Sequence, residues 1–227
     1  MDLQLQGRRA LVLGGHGTIG SAVVARLRAE GAVAIAASRT SPDGIVMDAT
    51  DDDSVAAGIA RFVAEHGRIE IVVVSAAPSA RTLDPARNGH PAQVLAAMDA
   101  KAMSFLRVAN AVLPSMVDAG DGRIIGVSGQ NAFITGNITG AVRNAALNIA
   151  AKSLADSVAG SGVTVNTVNP GLVSEHPASG VEIGKGGEST PAQIADLIAF
   201  LASPLAAAIS GESIATGHRV RGASGMH

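Results

Sequence analysis

A glycine-rich segment near the start of the chain is the clearest candidate for chemistry. It reads Gly-Gly-His-Gly-Thr-Ile-Gly and follows the first apolar run directly. Glycines at this spacing allow a tight turn and a close backbone approach to a pyrophosphate, and the amino end of the following helix attracts phosphate. The segment predicts a dinucleotide site made by Gly14, Gly15, His16, Gly17, Thr18, Ile19 and Gly20.

The end of the second apolar run bears on which dinucleotide is bound. An acidic residue there would bind the ribose hydroxyls of NAD, but the run ends Ala-Ser-Arg-Thr, without an acid. An arginine in this place can pair with a 2′-phosphate. Ser38 and Arg39 therefore favour NADP(H) as the cofactor, with NAD(H) as the alternative.

A lysine within an apolar stripe is the candidate for acid–base chemistry. Lys101 follows Met98 by three residues and precedes Phe105 by four, so the three share one face of a predicted helix. An ammonium group that is partly removed from water has a lowered pKa. Lys101 could then act as a general acid or base near neutral pH. The alternative is that its long side chain reaches the surface and keeps the charge in water, or that it only fills space.

These residues depend on elements that the apolar pattern predicts. Short β-branched runs indicate strands covered on both faces, as in a parallel sheet: Ala10–Leu13, Val33–Ala37, Ile45–Met47, Ile71–Val74, Arg123–Val127 and Val163–Val168. Helical spacing predicts helices over Thr18–Glu30, Asp51–His66, Pro91–Val117, Thr139–Val158 and Pro191–Leu201. The alternation predicts a Rossmann-type α/β fold, a doubly wound parallel sheet of about seven strands with helices on both faces, in a single domain over residues 1–227.

The composition excludes several kinds of chemistry. The 227 residues include no Cys, Trp or Tyr, so a thiolate nucleophile, a disulfide and a tyrosine phenol are impossible. The 17 basic and 19 acidic residues give a net charge of −2 and form no basic cluster, so we expect no nucleic-acid partner. The histidines are scattered, which predicts no metal site. No apolar run has the length of a signal peptide or a membrane span, so we expect a cytoplasmic protein without a membrane partner.

Three further motifs, together with the glycine segment, carry a resemblance over nearly the whole chain. They are Asp-Ala-Thr at 48–50, Val-Ser-Ala-Ala at 74–77 and Asn-Pro-Gly-Leu-Val at 169–173. The sequence resembles the short-chain dehydrogenases/reductases. The resemblance implies an oxidoreductase that uses NAD(P)(H). It also implies that three groups of residues contact the cofactor. They are Asp48 and Ala49 at the adenine, Ser75, Ala76 and Ala77 in the groove, and Pro170, Gly171 and Val173 at the nicotinamide.

The same resemblance exposes departures at the active site. The family uses a Ser, a Tyr-x-x-x-Lys pair and an Asn on the preceding helix. The resemblance places Gly140 at the Tyr, Asn144 at the Lys and Lys101 at the Asn. Ser128 lies near the Ser, although Gly129 could occupy that position instead. The chain is thus similar to a divergent subgroup that has lost the usual active site. That subgroup also lacks a helix between the second and third strands, and here Arg39 and Ile45 are too close for one.

Three interpretations of the altered site remain open. In the first, Lys101, Ser128 and a water held by Asn144 replace the missing phenol and protonate a carbonyl during hydride transfer. In the second, the protein binds NADP(H) without redox chemistry, as a regulator or an inactive partner subunit. In the third, the site carries out an isomerisation, elimination or cyclisation. Arg143 could bind an anionic part of a small-molecule substrate or face solvent.

Two surface features complete the expectations. The stretch 172–190 has no periodicity and follows the sixth strand, so it is either a flexible loop over the substrate or a plain surface loop. The resemblance implies a homotetramer or homodimer formed through the helices Pro91–Val117 and Thr139–Val158. The run Gly211–Gly217 resembles a last strand, and the tail Val220–His227 is predicted to be disordered.

Overall fold

Strands that match the predicted apolar runs form the centre of the molecule. The computed structural model describes residues 1–77 and 82–223. In chain order the strands are β1 (Arg9–Leu13), β2 (Val33–Ser38), β3 (Ile45–Val46), β4 (Ile71–Val74), β5 (Gly122–Val127), β6 (Val163–Pro170), β7 (Leu172–Val173), β8 (Glu188–Ser189) and β9 (Ser213–Thr216). Seven of them pair in parallel in the order β3-β2-β1-β4-β5-β6-β9, and β7 and β8 form a separate pair. The order reverses between β1 and β4, where a ligand crevice is expected in such sheets.

Helices cover both faces of the sheet. They are α1 (Thr18–Ala29), α2 (Asp52–His66), α3 (Pro91–Met98), α4 (Ser104–Asp118), α5 (Ile138–Ser157) and α6 (Pro191–Ala202). One core includes Phe62 and Phe105 from α2 and α4, and the other includes Leu27 and Ile198 from α1 and α6. The prediction of a doubly wound α/β fold is therefore confirmed, with element ends within about two residues of those expected.

The helix predicted over Pro91–Val117 is interrupted, so that prediction is wrong in its middle. Residues Asp99–Met103 form a π-helical turn between α3 and α4. The Ser104 N–H reaches back five residues to the Asp99 carbonyl oxygen, which the Ser104 hydroxyl also contacts at 3.1 Å. A π-turn fits one more residue into a helical turn than the α-helical pattern allows. Lys101 and Ala102 are buried in this turn.

The sequence predicted the link between β2 and β3 correctly and the start of the tail at Val220 wrongly. The link from β2 to β3 contains no helix within the described residues, as expected. The tail, by contrast, is not disordered at its start. Val220 is buried, and Arg221 forms a β-bridge with Ile183 while its N–H donates to Lys185 O at 3.0 Å. Apolar burial and backbone pairing therefore fix the chain to Ala223, and the rest of the predicted tail lies outside the described residues.

Within the described ranges, no helix combines the length and the apolar character needed to cross a membrane. The same ranges hold no group of three or more His, Asp or Glu side chains arranged around a possible metal position.

Candidate active site and nucleotide groove

The glycine segment forms a turn between β1 and α1 that leaves no room for side chains at three positions. Gly14 has φ +73°, and a Cβ there would lie 2.8 Å from Ala76 N. A Cβ on Gly15 would lie 2.6 Å from the Ala36 side chain, and one on Gly20 only 2.0 Å from Gly14 O. These glycines are thus required by the close approach of the turn to the residues after β4, to β2 and to the start of α1.

A groove runs along this turn at the carboxyl ends of the strands. Its first part is a cavity of about 300 Å³, and its second part is a cavity of about 480 Å³. Gly14 and Ala77 line both. The other predicted cofactor residues that line one or the other are Gly17, Thr18, Ile19, Gly20, Ser38, Arg39, Asp48, Ala49, Ser75, Ala76, Gly171 and Val173. Gly15, His16 and Pro170 lie outside both cavities.

Asp48 lines the first cavity as a carboxylate whose geometry is fixed by its neighbours. Its Oδ1 accepts hydrogen bonds from the N–H and the hydroxyl of Thr50, at 2.9 and 2.7 Å. These bonds lower the pKa of Asp48, and the positive charges of Arg39 and Arg107 lower it further. The Arg39 side chain is exposed at the same cavity.

The π-turn carries Lys101 into the interior. The lysine is only 7% exposed, and its Nζ donates to the backbone oxygen of Ser128 at 2.8 Å. Burial lowers its pKa to about 7, and the like charge of Arg143 acts in the same direction. The interpretation in which the ammonium reaches the surface is therefore wrong.

The three residues predicted for catalysis meet at the end of β5. Lys101 is bonded to the Ser128 carbonyl, and the Ser128 hydroxyl donates to Asn144 O on α5 at 3.1 Å. All three are buried. The Asn144 side-chain oxygen is buried as well and has no hydrogen-bond partner among the described residues. Lys101, Ser128 and Asn144 are far apart in sequence. They are brought together by the π-turn, the end of β5 and helix α5.

Gly140 and Arg143 lie on the first two turns of α5, and neither faces solvent. A Cβ on Gly140 would lie 2.7 Å from Asn137 Nδ2 and 3.0 Å from Asn131 Nδ2, so amide groups crowd this position. Arg143 is 4% exposed, which excludes the solvent-facing interpretation, and burial lowers its pKa. The positive charges of Arg143 and Lys101 thus share one interior region.

Sequence reasoning missed an amide chain behind the site. Asn148, one turn after Asn144, donates from Nδ2 to Asn169 Oδ1 at 3.0 Å, and the Asn148 oxygen is buried without a described partner. Asn169 in turn donates to Thr167 Oγ1 at 3.3 Å. The four-residue spacing of two asparagines on one apolar helix was a signal that could have found it.

Known proteins resemble this chain over most of its length. The family described as enoyl-(acyl carrier protein) reductase matches residues 16–217. The 3-oxoacyl-[acyl-carrier-protein] reductase FabG of Vibrio cholerae is 29% identical over 245 aligned positions, which cover 93% of this chain and 96% of the relative. The (2S)-[(R)-hydroxy(phenyl)methyl]succinyl-CoA dehydrogenase subunit BbsC of Thauera aromatica is 29% identical and covers 94% of each chain.

A solved structure gives the same result for the fold. The ligand-free aldohexose dehydrogenase (AldT) of Thermoplasma acidophilum superposes with a TM-score of 0.81 at 22% identity, covering 100% of both chains. The match over residues 16–217, the relatives covered over most of their length and the strand order agree with one another. The chain therefore belongs to the short-chain dehydrogenase/reductase family.

Proposed function

We propose that this protein is an NADP(H)-dependent oxidoreductase that interconverts a carbonyl and a hydroxyl group on a small molecule. The observation that carries the proposal is the buried Lys101, whose Nζ lies 2.8 Å from Ser128 O. Its pKa of about 7 suits proton transfer in either direction near neutrality. Membership of an oxidoreductase family supports the redox half of the reaction.

The residues of the groove fit a nicotinamide dinucleotide. A Cβ on Gly17 would meet Gly14 O at 3.2 Å, so internal packing opposes a side chain there much less than at Gly14, Gly15 or Gly20. Gly17 lines the cavity at the start of α1, where a missing side chain lets a pyrophosphate approach the helix amides. The Asp48 carboxylate can accept from the adenine amino group, and Arg39 can pair with a 2′-phosphate. Pro170, Gly171 and Val173 would then lie along the nicotinamide half.

The side chains of this protein would supply the proton. When bound, the reduced nicotinamide supplies a hydride to the carbonyl carbon of the substrate. The Lys101 ammonium gives one proton to the substrate oxygen, which becomes the hydroxyl, and the resulting amine regains a proton from water. Ser128 would orient the oxygen by turning its hydroxyl from Asn144 O to the substrate, and the free Asn144 side-chain oxygen would hold a water on the path of reprotonation. In the oxidative direction the neutral amine of Lys101 takes the hydroxyl proton.

The test is NADPH oxidation by the purified chain with a panel of small carbonyl substrates. The names of the relatives suggest 3-oxoacyl thioesters and the oxidised forms of polyols such as threitol. Lys101→Met should lower kcat at least about a hundredfold, because proton transfer by a placed side chain contributes that much. Its NADPH affinity should stay unchanged. Full turnover by Lys101→Met would remove Lys101 from the reaction.

The segment over 172–190 is proposed to border the substrate. Its ends are held together by the pairing of Leu172 with Glu188 and of Val173 with Ser189. Leu172 and Val173 also line the second cavity of the groove. We therefore propose a single NAD(P)-binding domain over residues 1–227 in which this segment covers a bound substrate.

A second candidate function is a partner subunit without redox activity of its own. The chain has no Tyr, and the BbsC relative is by name one subunit of a dehydrogenase. Under this proposal the pure chain binds NADP(H) but turns over no member of the panel. It would also purify from its own cells with a second, tyrosine-bearing chain. Turnover by the pure chain excludes it.

Self-association is proposed for either function. The helices α3 and α5 expose large apolar side chains, namely Leu95, Ile138, Val142 and Ile149. Leu95 and Ile149 are about two-thirds exposed. Contiguous apolar side chains exposed in this way mark a surface that binds another protein. A homodimer or homotetramer that covers α3, α4 and α5 would bury them.

A further inference from the structure

Gln130 carries a buried amide that the proposed reaction does not use. It lies two residues after Ser128, in a short 3₁₀ turn over Gln130–Phe133, and is only 3% exposed. Its Nε2 donates to the backbone oxygens of Thr216 and His218, both at 3.0 Å. Its Oε1 is buried and has no hydrogen-bond partner among the described residues. The amide is therefore held through its donors, on the end of β9 and the residues that follow it.

The segment over 172–190 is attached to the same stretch of chain. Gly187 N–H donates to His218 O at 2.8 Å, and the hydroxyls of Ser189 and Thr216 lie 3.2 Å apart. Of the residues from 172 to 190, only Gly187 and Ser189 are buried. Because so few apolar side chains are removed from water, hydrogen bonds to the stretch after β9 carry much of the attachment of the segment.

The Gln130 amide lies between the two ends of the segment. A Cβ on Gly186 would lie 2.5 Å from Gln130 Oε1, and a Cβ on Gly171 would lie 3.3 Å from Gln130 Nε2. The two ends also meet each other, because a Cβ on Gly171 would lie 2.1 Å from Gly187 O. Gly171 lines the second cavity of the groove. The amide thus lies at the base of the segment, beside the end that borders the groove.

We propose that Gln130 is a positioning residue that fixes the 172–190 segment over the substrate without touching the reacting atoms. The inference rests on the proposed function, in which this segment covers a bound substrate. Gln130 joins three parts of the site, namely the turn after Ser128, the backbone at Gly171 and the stretch over residues 216–218. Loss of its two donor bonds would release the segment and weaken substrate binding, while the proposed proton donor stays in place.

The test uses two variants and one matched control. Gln130→Met removes both donors and keeps an unbranched side chain of similar length. Gly186→Ala presses a methyl group on Gln130 Oε1 from the side of the segment. The control is Gln93→Met, because Gln93 Nε2, on α3, also donates to two backbone oxygens, those of Asp84 and Arg87, both at 3.1 Å. Circular dichroism checks that each variant folds.

Amide exchange followed by NMR measures the attachment of the segment without any substrate. The probes are the N–H groups of Gly184 and Gly187, which donate to Arg221 O at 2.9 Å and to His218 O at 2.8 Å. Exchange at both should be at least about tenfold faster in Gln130→Met, because two hydrogen bonds are lost. It should be unchanged in Gln93→Met. Equal exchange in Gln130→Met and its control would overturn the inference.

Steady-state kinetics at saturating NADPH then separate binding from chemistry. With a substrate that the unmodified chain turns over, KM should rise about tenfold in Gln130→Met and in Gly186→Ala, while kcat stays within about twofold. A fall in kcat at unchanged KM would place Gln130 in the chemistry and overturn its positioning role. If the unmodified chain turns over no member of the panel, the proposed function fails, and the exchange comparison alone decides whether Gln130 fixes the segment.

Discussion

Lys101 exchanges the hydration of an ammonium group for one hydrogen bond to a carbonyl oxygen. Its folded-state pKa is about 7, against an ordinary value of 10.5. Between those values the unfolded chain binds more protons than the folded one, so the free energy of unfolding rises with pH across this window. Below pH 7 the full cost of burying the charge is present.

Replacement of Lys101 by methionine should therefore stabilise the protein while it removes turnover. We expect the free energy of unfolding at pH 7 to increase by up to about 5 kcal/mol, from the 1.36 kcal/mol that each pKa unit represents. The gain should shrink as pH approaches 10. Urea unfolding followed by circular dichroism at pH 7 and 9.5 measures it, with the exposed Lys152→Met as the control. No gain at pH 7 would contradict the burial of a charged group.

The glycine segment permits a second comparison between two residues. Gly20→Ala should cost roughly 3 kcal/mol, because its Cβ would lie 2.0 Å from Gly14 O and the backbone must move. Gly17→Ala should cost less than about 1 kcal/mol, since its nearest contact is at 3.2 Å. Chemical denaturation of the two variants measures the difference. Equal losses would mean that the turn tolerates a side chain at Gly20.

At the scale of residues, the sequence predicted which distant side chains lie close together but not which atoms form hydrogen bonds. The motif positions of Ser128, Asn144 and Lys101 were enough to place them near one another, and the structure joins them by two hydrogen bonds. That Lys101 would bond the carbonyl of Ser128, and that Ser128 would bond the carbonyl of Asn144, depends on tertiary packing. No spacing pattern carries such information, since each partner is a backbone oxygen.

At the scale of elements, apolar periodicity was sufficient wherever a strand or helix is regular. The run Ile71–Val74 is a strand with the predicted bounds and is buried throughout. The helix that contains Lys101 is where periodicity failed. Met98, Lys101 and Phe105 keep helical spacing, and a seven-residue interval is compatible with both an α-helix and a widened turn. The hydrogen bond from Ser104 N–H to the Asp99 carbonyl oxygen defines the wider turn, and the apolar spacing does not predict it.

The start of α6 offers a prediction for an element. Thr190 and Gln193 form a reciprocal capping box, and Pro191 takes the first helical position. Thr190→Ala should lower the free energy of unfolding by about 1 kcal/mol. It should also loosen the end of the 172–190 segment, which is detectable as faster amide exchange at Ser189. Thr190→Ser should restore both the free energy of unfolding and the slow exchange. An unchanged exchange rate at Ser189 in Thr190→Ala would mean that the cap does not hold the end of the segment.

At the scale of the whole molecule, the proposed self-association depends on the outer faces of α3 and α5. Ile149 is 65% exposed and Leu95 is 66% exposed. Ile149→Glu should convert the assembly into monomers, because burying an unpaired carboxylate at each copy of an interface is strongly unfavourable. Light scattering after size exclusion measures the mass. The exposed Val63 on α2 provides the control substitution Val63→Glu, and a mass that falls equally in both would point away from α5.

The π-turn also makes the orientation of α3 relative to α4 depend on the number of residues in the turn more than on their identity. Removal of one codon within Asp99–Met103 would restore an ordinary helix and rotate α3 by about 100° relative to α4. Leu95 would leave its outward direction, and the lysine would lose its place beside Ser128. A single deletion would thereby remove the proposed self-association and the proposed chemistry while leaving the fold, so this helix should tolerate exchange of residues more readily than their loss.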